Sequence, residues 1–443
     1  MTLPKFWDSL PPAMTGPMAR QSSASLAVKL FAVGCGFLYA VAAARLLGPT
    51  GYGTVAFAMS VATIAATFSL LGTNGLAIRV MATLKLRAAW GRLRGFIEWS
   101  CGAVIFVSII LGVLVAAAST ASGPYRDALL LVSVAVPLLA GLQLLRGISQ
   151  GAGLVVTAQI PMDVVRLAVT LSLIGVLIVY GRDTSPTEVI LVLLLSLAVA
   201  FVLAAGILRR YLKSIPREGP VRSNRHQWLS ESLPFLGIAL FGIVGSEINT
   251  LLLGWLAGPR EAGLYQPIAR LAPIMMLSRE AIEMPLAPRM ASLWESQSTS
   301  QLRRIIQRSA LACTLATAGL AGLIVALSAF IFAAFGPEFG QYRHYLYWIA
   351  AAQVLNAAVG PSSLLLAMVG NMRLRIQAQV TTLVLQIGLG VTLIPIWGAA
   401  GAAISLAGGI IAWSGLHWLL AWRSTGINTS AFALARPAQG TDG

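Results

Sequence analysis

The residues best placed to do chemistry in this chain are charges set inside long apolar runs. Lys29 lies about a turn and a half into the first run, and Glu247 near the middle of the seventh, beside Ser246 and Asn249. Arg270, Arg279, Glu280 and Glu283 crowd the eighth. A charge at the centre of a membrane helix costs about 2.5–3.5 kcal/mol on insertion scales, so each needs a reason to be there. Read together, Lys29, Arg270 and Arg279 offer a cationic path for an anionic head group, with Glu247 and Asn249 lining the same cavity. Glu247, Glu280 and Glu283 are the candidates for coupling or gating. Arg279 and Glu283, four residues apart, could instead pair on one helix face and lock the protein internally. Pro267, Pro273, Pro285 and Pro288 interrupt the same run and predict a broken helix, a poor lipid-facing surface and a good cavity wall. Asp163 and Arg166 read as a local i,i+3 pair, and Arg45 as a side chain that snorkels to the membrane surface.

Other chemistries lack their residues. The lysines (Lys5, Lys29, Lys85, Lys213) never follow Gly, so no phosphate-cradling Gly-rich loop with its Lys is present. His226, His344 and His417 are scattered, with no second ligand three or four residues on, so neither a metal nor any other cofactor is expected. Cys35, Cys101 and Cys313 sit in apolar stretches and read as small core residues. No G-x-S-x-G elbow occurs.

Those charges must be positioned by helices in lipid. The chain has 443 residues, 57% hydrophobic and only 10% charged, with a mean hydropathy of +0.80. A soluble core could not hide so much apolar surface. At roughly 35 residues per span and connection, the length accommodates about a dozen spanning helices. Apolar runs fall at approximately 24–47, 54–76, 96–118, 128–150, 162–180, 188–208, 232–257, 263–290, 305–334, 345–368, 374–396 and 399–422. The expected organisation is a lead-in over 1–22, a six-helix lobe over 23–208, a basic linker over 209–231, a second six-helix lobe over 232–423, and a loose tail over 424–443.

Lys+Arg exceeds Asp+Glu by 31 to 15, and the excess lies between apolar runs rather than in a nucleic-acid-binding stripe. Alternate connections are basic. Arg79, Lys85, Arg87, Arg92 and Arg94 follow the second run. Arg209, Arg210, Lys213, Arg217, Arg222 and Arg225 follow the sixth, and Arg289, Arg303, Arg304 and Arg308 the eighth. The other side has Arg45, Arg126, Arg182, Arg260 and Arg343. This bias places both termini in the cytoplasm. Tryptophans such as Trp90, Trp99, Trp228, Trp255, Trp294, Trp348, Trp397 and Trp422 fall near run ends, as interfacial anchors do.

The halves repeat. Gly48, Pro49 and Gly53 correspond to Gly258, Pro259 and Gly263 at an offset of 210, and Gly123-Pro124 to Gly336-Pro337 at 213. Six runs separate each pair, and six is even, so the repeat is parallel about an axis along the membrane normal. The architecture expected is all-α and polytopic, with two six-helix lobes facing each other across a cavity.

The stretch RLLGPTGYGTVAFAMS from Arg45 resembles the segment that ends the first helix of Wzx-type polysaccharide flippases. EINTLLLGWLAGPREAGLYQPIARLA from Glu247 resembles their seventh-to-eighth helix segment, with its acid, Gly-Pro turn, Gly-Leu-Tyr and basic residue. FGPEFG from Phe335 and IPIWGAAGAAIS from Ile394 resemble later junctions of that family, and the likeness runs over approximately 22–422. The family belongs to the multidrug/oligosaccharidyl-lipid/polysaccharide exporter superfamily, so the resemblance implies a MATE-like fold. It also implies a translocator of undecaprenyl-pyrophosphate-linked oligosaccharide in the bacterial inner membrane, serving exopolysaccharide, capsule or O-antigen synthesis. Its partners would be the lipid-linked substrate, membrane lipid, and a polysaccharide polymerase with other assembly proteins. Carried over by position, Glu247 takes the family's acidic place and Arg270 its basic place. The acid usual near the end of the second helix is replaced by Thr73 and Asn74.

A cation-coupled multidrug exporter of the same fold is the nearest alternative, but it needs an acid in the middle of the first lobe. No Asp or Glu occurs from residue 23 to 97. A membrane polymerase or glycosyltransferase would carry a large outer loop, whereas the outer connections here are short. A non-transporting scaffold has no use for charges inside spans. The topology is directly testable. A cysteine introduced between Arg209 and Glu231 should be shielded from impermeant thiol reagents in intact cells, while one near Gly123 or Gln341 should be labelled. Labelling of the central connection from outside would reverse the orientation.

Overall fold

The computed structural model describes residues 17–180, 184–216 and 224–435. Arg182, Arg217, Arg222, most of the lead-in and the last eight residues of the tail lie outside them. Among the described residues every long element is helical: α1 (Pro17–Ser69), α2 (Thr73–Leu86), α3 (Trp90–Ser119), α4 (Arg126–Gly151), α5 (Val155–Gln159), α6 (Arg166–Tyr180), α7 (Pro186–Ser214), α8 (Arg225–Leu256), α9 (Pro259–Glu295), α10 (Thr299–Ala326), α11 (Ser328–Phe335), α12 (Tyr345–Ala358), α13 (Ser362–Met368), α14 (Met372–Trp397) and α15 (Ala399–Thr425). In lipid the backbone finds no water to bond, so helices that satisfy their own N–H and C=O groups are the natural solution.

Nine of these helical stretches are long and apolar enough to cross a membrane, and α12 with α13, bent by 41°, makes a tenth. α1 holds two runs joined at Gly48, whose φ of 64° breaks the helix ahead of Pro49. α9 spans 37 residues but is too polar to be counted by composition. The tenth, the second run of α1, and α9 complete the dozen that the length allows.

The chain forms two compact units. The first takes residues to Leu46 and Val61–Leu240, and the second takes Leu47–Ser60 and Phe241–Gly443. The division therefore differs from a cut through the basic linker. The start of α1's second run belongs with the C-terminal helices, and the first half of α8 with the N-terminal ones.

In the first unit α4 is central, packed against α2, α3 and α7. Its small residues set the spacing: a Cβ on Gly147 would press on the Asn74 backbone, and one on Gly141 on the Phe201 ring. α7 starts with a capping box, in which the Ser185 hydroxyl accepts from the Glu188 N–H and the Glu188 carboxylate from the Ser185 N–H. Leu71 and Gly72 reverse the chain between α1 and α2 with positive φ. The connection after the second run is thus itself a helix, and Arg79 and Lys85 are fixed on α2.

In the second unit α15 packs on α12 and α14, and α10 on α9 and α12. Glu261 Oε2 accepts from Ala399 N at 2.9 Å, satisfying a donor at the start of α15 where Gly398 turns the chain. The prolines of α9 do not break it; the helix is continuous from Pro259 to Glu295. The break falls instead between α12 and α13 at Gly360-Pro361. The tail is also less loose than expected. Thr429 and Ile427 are buried, and the Thr429 hydroxyl donates to Val359 O at 2.8 Å.

The repeat has a physical counterpart. Gly48 and Gly258 both adopt positive φ before their prolines, and Gly123 and Gly336 do the same before short 3₁₀ turns. The first pair also meets in space. A Cβ on Gly53 would overlap the Pro259 carbonyl, and one on Gly263 would overlap the Pro49 carbonyl. The two segments pack reciprocally, each glycine receiving the other's turn. Gly53→Ala and Gly263→Ala should each cost about 3 kcal/mol through overpacking against backbone. Gly34→Ala, with open space around it, should leave stability unchanged or raise it. Monodispersity after heating in detergent, read by size-exclusion chromatography, separates the two outcomes.

Candidate functional site

The second unit gathers most of the intramembrane polar residues. Glu247 on α8 is half-buried, and the Ser60 hydroxyl of α1 donates to its Oε2 at 2.5 Å. Tyr265 of α9 sits beside Glu247 with its hydroxyl against Asn249. Asn249 is 1% exposed and accepts from the Ser405 hydroxyl of α15 at 3.1 Å. Gln386 Nε2 of α14 donates to Gly245 O at 3.0 Å, and Gln266 Nε2 to the Thr250 hydroxyl at 3.3 Å. Asn249 thus joins α8 to α15 through its side-chain oxygen, as amides buried in lipid often do, while its buried Nδ2 has no hydrogen-bond partner among the described residues. Its neighbour Glu247 stays partly accessible.

Arg270 stands on the exposed side of α9, close to the buried Tyr52 hydroxyl of α1. Glu247 thus accepts from one residue of the run that follows Gly48, and Arg270 lies near another. The Gly48–Gly53 and Gly258–Gly263 packing holds that run against α8 and α9.

Arg279 has another task. It is 8% exposed. Its Nε donates to Glu283 Oε1 at 2.6 Å, and its Nη1 to Asn356 Oδ1 at 2.6 Å and Asn356 O at 3.3 Å. Nη2 reaches Gly360 O at 3.4 Å. Asn356 Oδ1 also accepts from the Ser414 hydroxyl at 2.8 Å. Breaking a span frees backbone carbonyls that lipid cannot satisfy. Arg279 supplies donors to that break, and Glu283 balances its charge. The internal pairing that the four-residue spacing allowed is present, with Glu283 as the counter-ion of Arg279. Glu280, one residue on, is exposed on the other side of α9.

The first unit holds Lys29, half-buried on α1, one turn beyond Ser25. Gln159 Nε2 donates to the Ser25 hydroxyl at 2.6 Å, tying the start of α1 to α5. Between α5 and α6 the helix widens into a π turn over Ile160–Val165. Within it Asp163 pairs with Arg146 of α4, Nη1 to Oδ1 at 3.2 Å and Nη2 to Oδ2 at 3.0 Å. Asp163, expected to pair locally with Arg166, is engaged by this fork between helices, because the π turn aims it toward α4. Arg166 Nε donates to Met162 O instead. Sequence reasoning passed over Arg146. Its signal was an arginine four residues inside the end of the fourth apolar run, in a position that also reads as a span boundary.

Thus Glu247 and Asn249 come together with Ser60 and Tyr265. Arg270 meets Tyr52, and Arg279 and Glu283 are committed to the α12–α13 break. Lys29 lies in the first unit, one turn from the Ser25 that bonds Gln159.

The fold is shared with solved membrane proteins. The chain is similar to a multidrug resistance MATE family transporter of the MOP superfamily in an inward-facing conformation, with TM-score 0.70 and 14% identity over 94% of this chain and 99% of that one. It is similar to an outward-facing one with TM-score 0.62 and 14% identity over 91% and 96% of the two chains. A MOP superfamily transporter from Pyrococcus furiosus gives TM-score 0.59 and 17% identity over 94% and 97%. At such identities the likeness is one of fold: an all-α architecture with multiple membrane-length apolar helices. No curated protein matches the sequence. Residues 18–294 match the family described as polysaccharide biosynthesis protein, and the chain belongs to that family.

Removing one partner from a buried ion pair costs about 3–5 kcal/mol, because the other charge is left uncompensated. Arg279→Ala should therefore lower the unfolding midpoint sharply in detergent, with Glu283→Gln milder because Asn356 and Gly360 still hold the guanidinium. An Arg279→Ala protein as stable as the parent would return Arg279 to the list of substrate contacts.

Proposed function

We propose that this protein is a flippase for lipid-linked oligosaccharides, turning undecaprenyl-pyrophosphate-linked units outward across the bacterial inner membrane by alternating access. The observation that carries this reading is a chain of the polysaccharide biosynthesis family, in a fold shared with solved transporters, with cationic side chains at Lys29 and Arg270 inside its apolar runs. Relatives of this fold occur in inward-facing and outward-facing conformations, as alternating access requires. A pyrophosphate crossing a low-dielectric barrier needs compensating cations. With Arg279 committed elsewhere, Lys29 and Arg270 are the pair that meets this need, and phosphate recognition by such groups is charge-assisted. The lipid tail stays in the bilayer. Both termini are cytoplasmic, and the product is handed to a polymerase and its assembly partners. Glu247, bonded to Ser60, is the coupling or gating acid of the second unit.

Lys29→Ala and Arg270→Ala should each lower polymer export and accumulate lipid-linked precursor on the cytoplasmic leaflet, at unchanged protein level. Lys29→Arg should be tolerated better than Lys29→Ala, because a point charge matters more here than head-group shape. Glu247→Gln should impair transport while the protein still accumulates in the membrane. Normal export from the Lys29→Ala/Arg270→Ala double variant would remove the cationic mechanism. Precursor turnover that is untouched while cationic drugs are exported would favour a multidrug exporter.

A further inference from the structure

A second cationic site lies away from the residues assigned to transport. In the first unit a pocket of about 350 Å³ opens between the end of α2, the α2–α3 turn and the start of α8. Its charged wall is Arg79, Arg87 and Arg92, with the amides of Asn224 and Gln227 beside them. Glu231 neutralises Arg79 through a salt bridge. Arg87 and Arg92 are exposed and have no acidic partner among the described residues. The Asn224 amide donates to Gln227 Oε1 and the Gln227 amide to Glu231 Oε1, so the guanidiniums of Arg87 and Arg92 are the pocket's donors for a phosphate oxygen.

The other walls are apolar. Trp228 is 6% exposed and packs edge-on to Phe96 at 5.3 Å and beside Trp99 at 5.7 Å, a rigid aromatic floor. Val80 and Leu84 of α2 complete the apolar lining, and Leu86, next to Arg87, is 89% exposed. Indoles of this kind settle at the membrane–water boundary. A soluble anion would use the guanidiniums and leave the leucines in water. A phospholipid uses both, its phosphate on Arg87 and Arg92 and its acyl chains along Val80, Leu84 and Leu86 of α2.

We propose that this pocket binds the head group of an anionic phospholipid, with Arg87 and Arg92 as its phosphate ligands. Basic pockets between helix ends at the bilayer surface recognise such head groups. The ligand tethers α2 to the start of α8, both parts of the first unit, and so steadies that end of the unit against the bilayer. The site is independent of Lys29, Arg270 and Glu247, and its test does not depend on the transported substrate.

Full-length protein, delipidated in detergent, is titrated at fixed ionic strength with phosphatidylglycerol, phosphatidylethanolamine or inorganic phosphate. Bound lipid is counted by native mass spectrometry, and the unfolding midpoint is recorded. Phosphatidylglycerol should bind and raise the midpoint, and phosphatidylethanolamine and inorganic phosphate should do neither. Arg87→Ala/Arg92→Ala should bind phosphatidylglycerol about thirtyfold more weakly, and Arg87→Lys/Arg92→Lys should retain most of the binding. Both pairs are exposed, and an elution profile matching the parent's shows that each variant is folded. Equal phosphatidylglycerol binding by the Ala variant overturns the proposal. So does stabilisation by inorganic phosphate equal to that by the lipid, since it would make the pocket a site for free anions.

Discussion

Every break in a helix must be repaid in hydrogen bonds when the surroundings are hydrocarbon, and this requirement shapes the second unit. The span made of α12 and α13 is interrupted at Gly360-Pro361. The carbonyls of Asn356 and Gly360 are met by one guanidinium, Arg279, held in turn by Glu283. The Gln353, Asn356 and Ser414 side chains extend the same network from α12 and α15. A charge that would be prohibitive against lipid is here a substitute for the missing helix bonds.

The glycine-proline turns answer a related constraint. A chain that crosses the membrane repeatedly must reverse tightly at each surface, and positive φ at Gly48, Gly258, Gly123 and Gly336 does this without a Cβ clash. The reciprocal packing of Gly53 and Gly263 on each other's turns then brings the second run of α1 beside α8 and α9. That placement delivers Ser60 to Glu247 and Tyr52 to Arg270. The repeat is thus more than a trace of duplication: its glycines build the polar surface on which the transport reading rests.

In the first unit the π turn at Ile160–Val165 does comparable work. Widening the helix by one residue per turn rotates Asp163 away from its own helix face and onto Arg146. Cationic and acidic groups meet there close to the Gln159–Ser25 bond, which ties α5 to the helix that carries Lys29.

Composition alone required lipid, and the spacing of apolar runs placed most of the long helices, because hydrophobic length is dictated by bilayer thickness, though it ran across the break before α2 and did not foresee α2 as a helix of its own. The duplicated Gly-Pro turns and the charges inside spans were equally legible, since both are rare events against an apolar background. The outcome for each charge was not. Arg270 and Arg279 lie nine residues apart on one helix and look alike in sequence. One is exposed beside Tyr52 and the other is buried against a helix break some eighty residues further along the chain. The continuity of α9 through its prolines, the pairing of Asp163 with Arg146, and the gathering of Arg79, Arg87 and Arg92 with Trp228 were likewise decided by packing. Each depends on contacts between segments far apart in the chain, and local periodicity carries no information about which helices become neighbours.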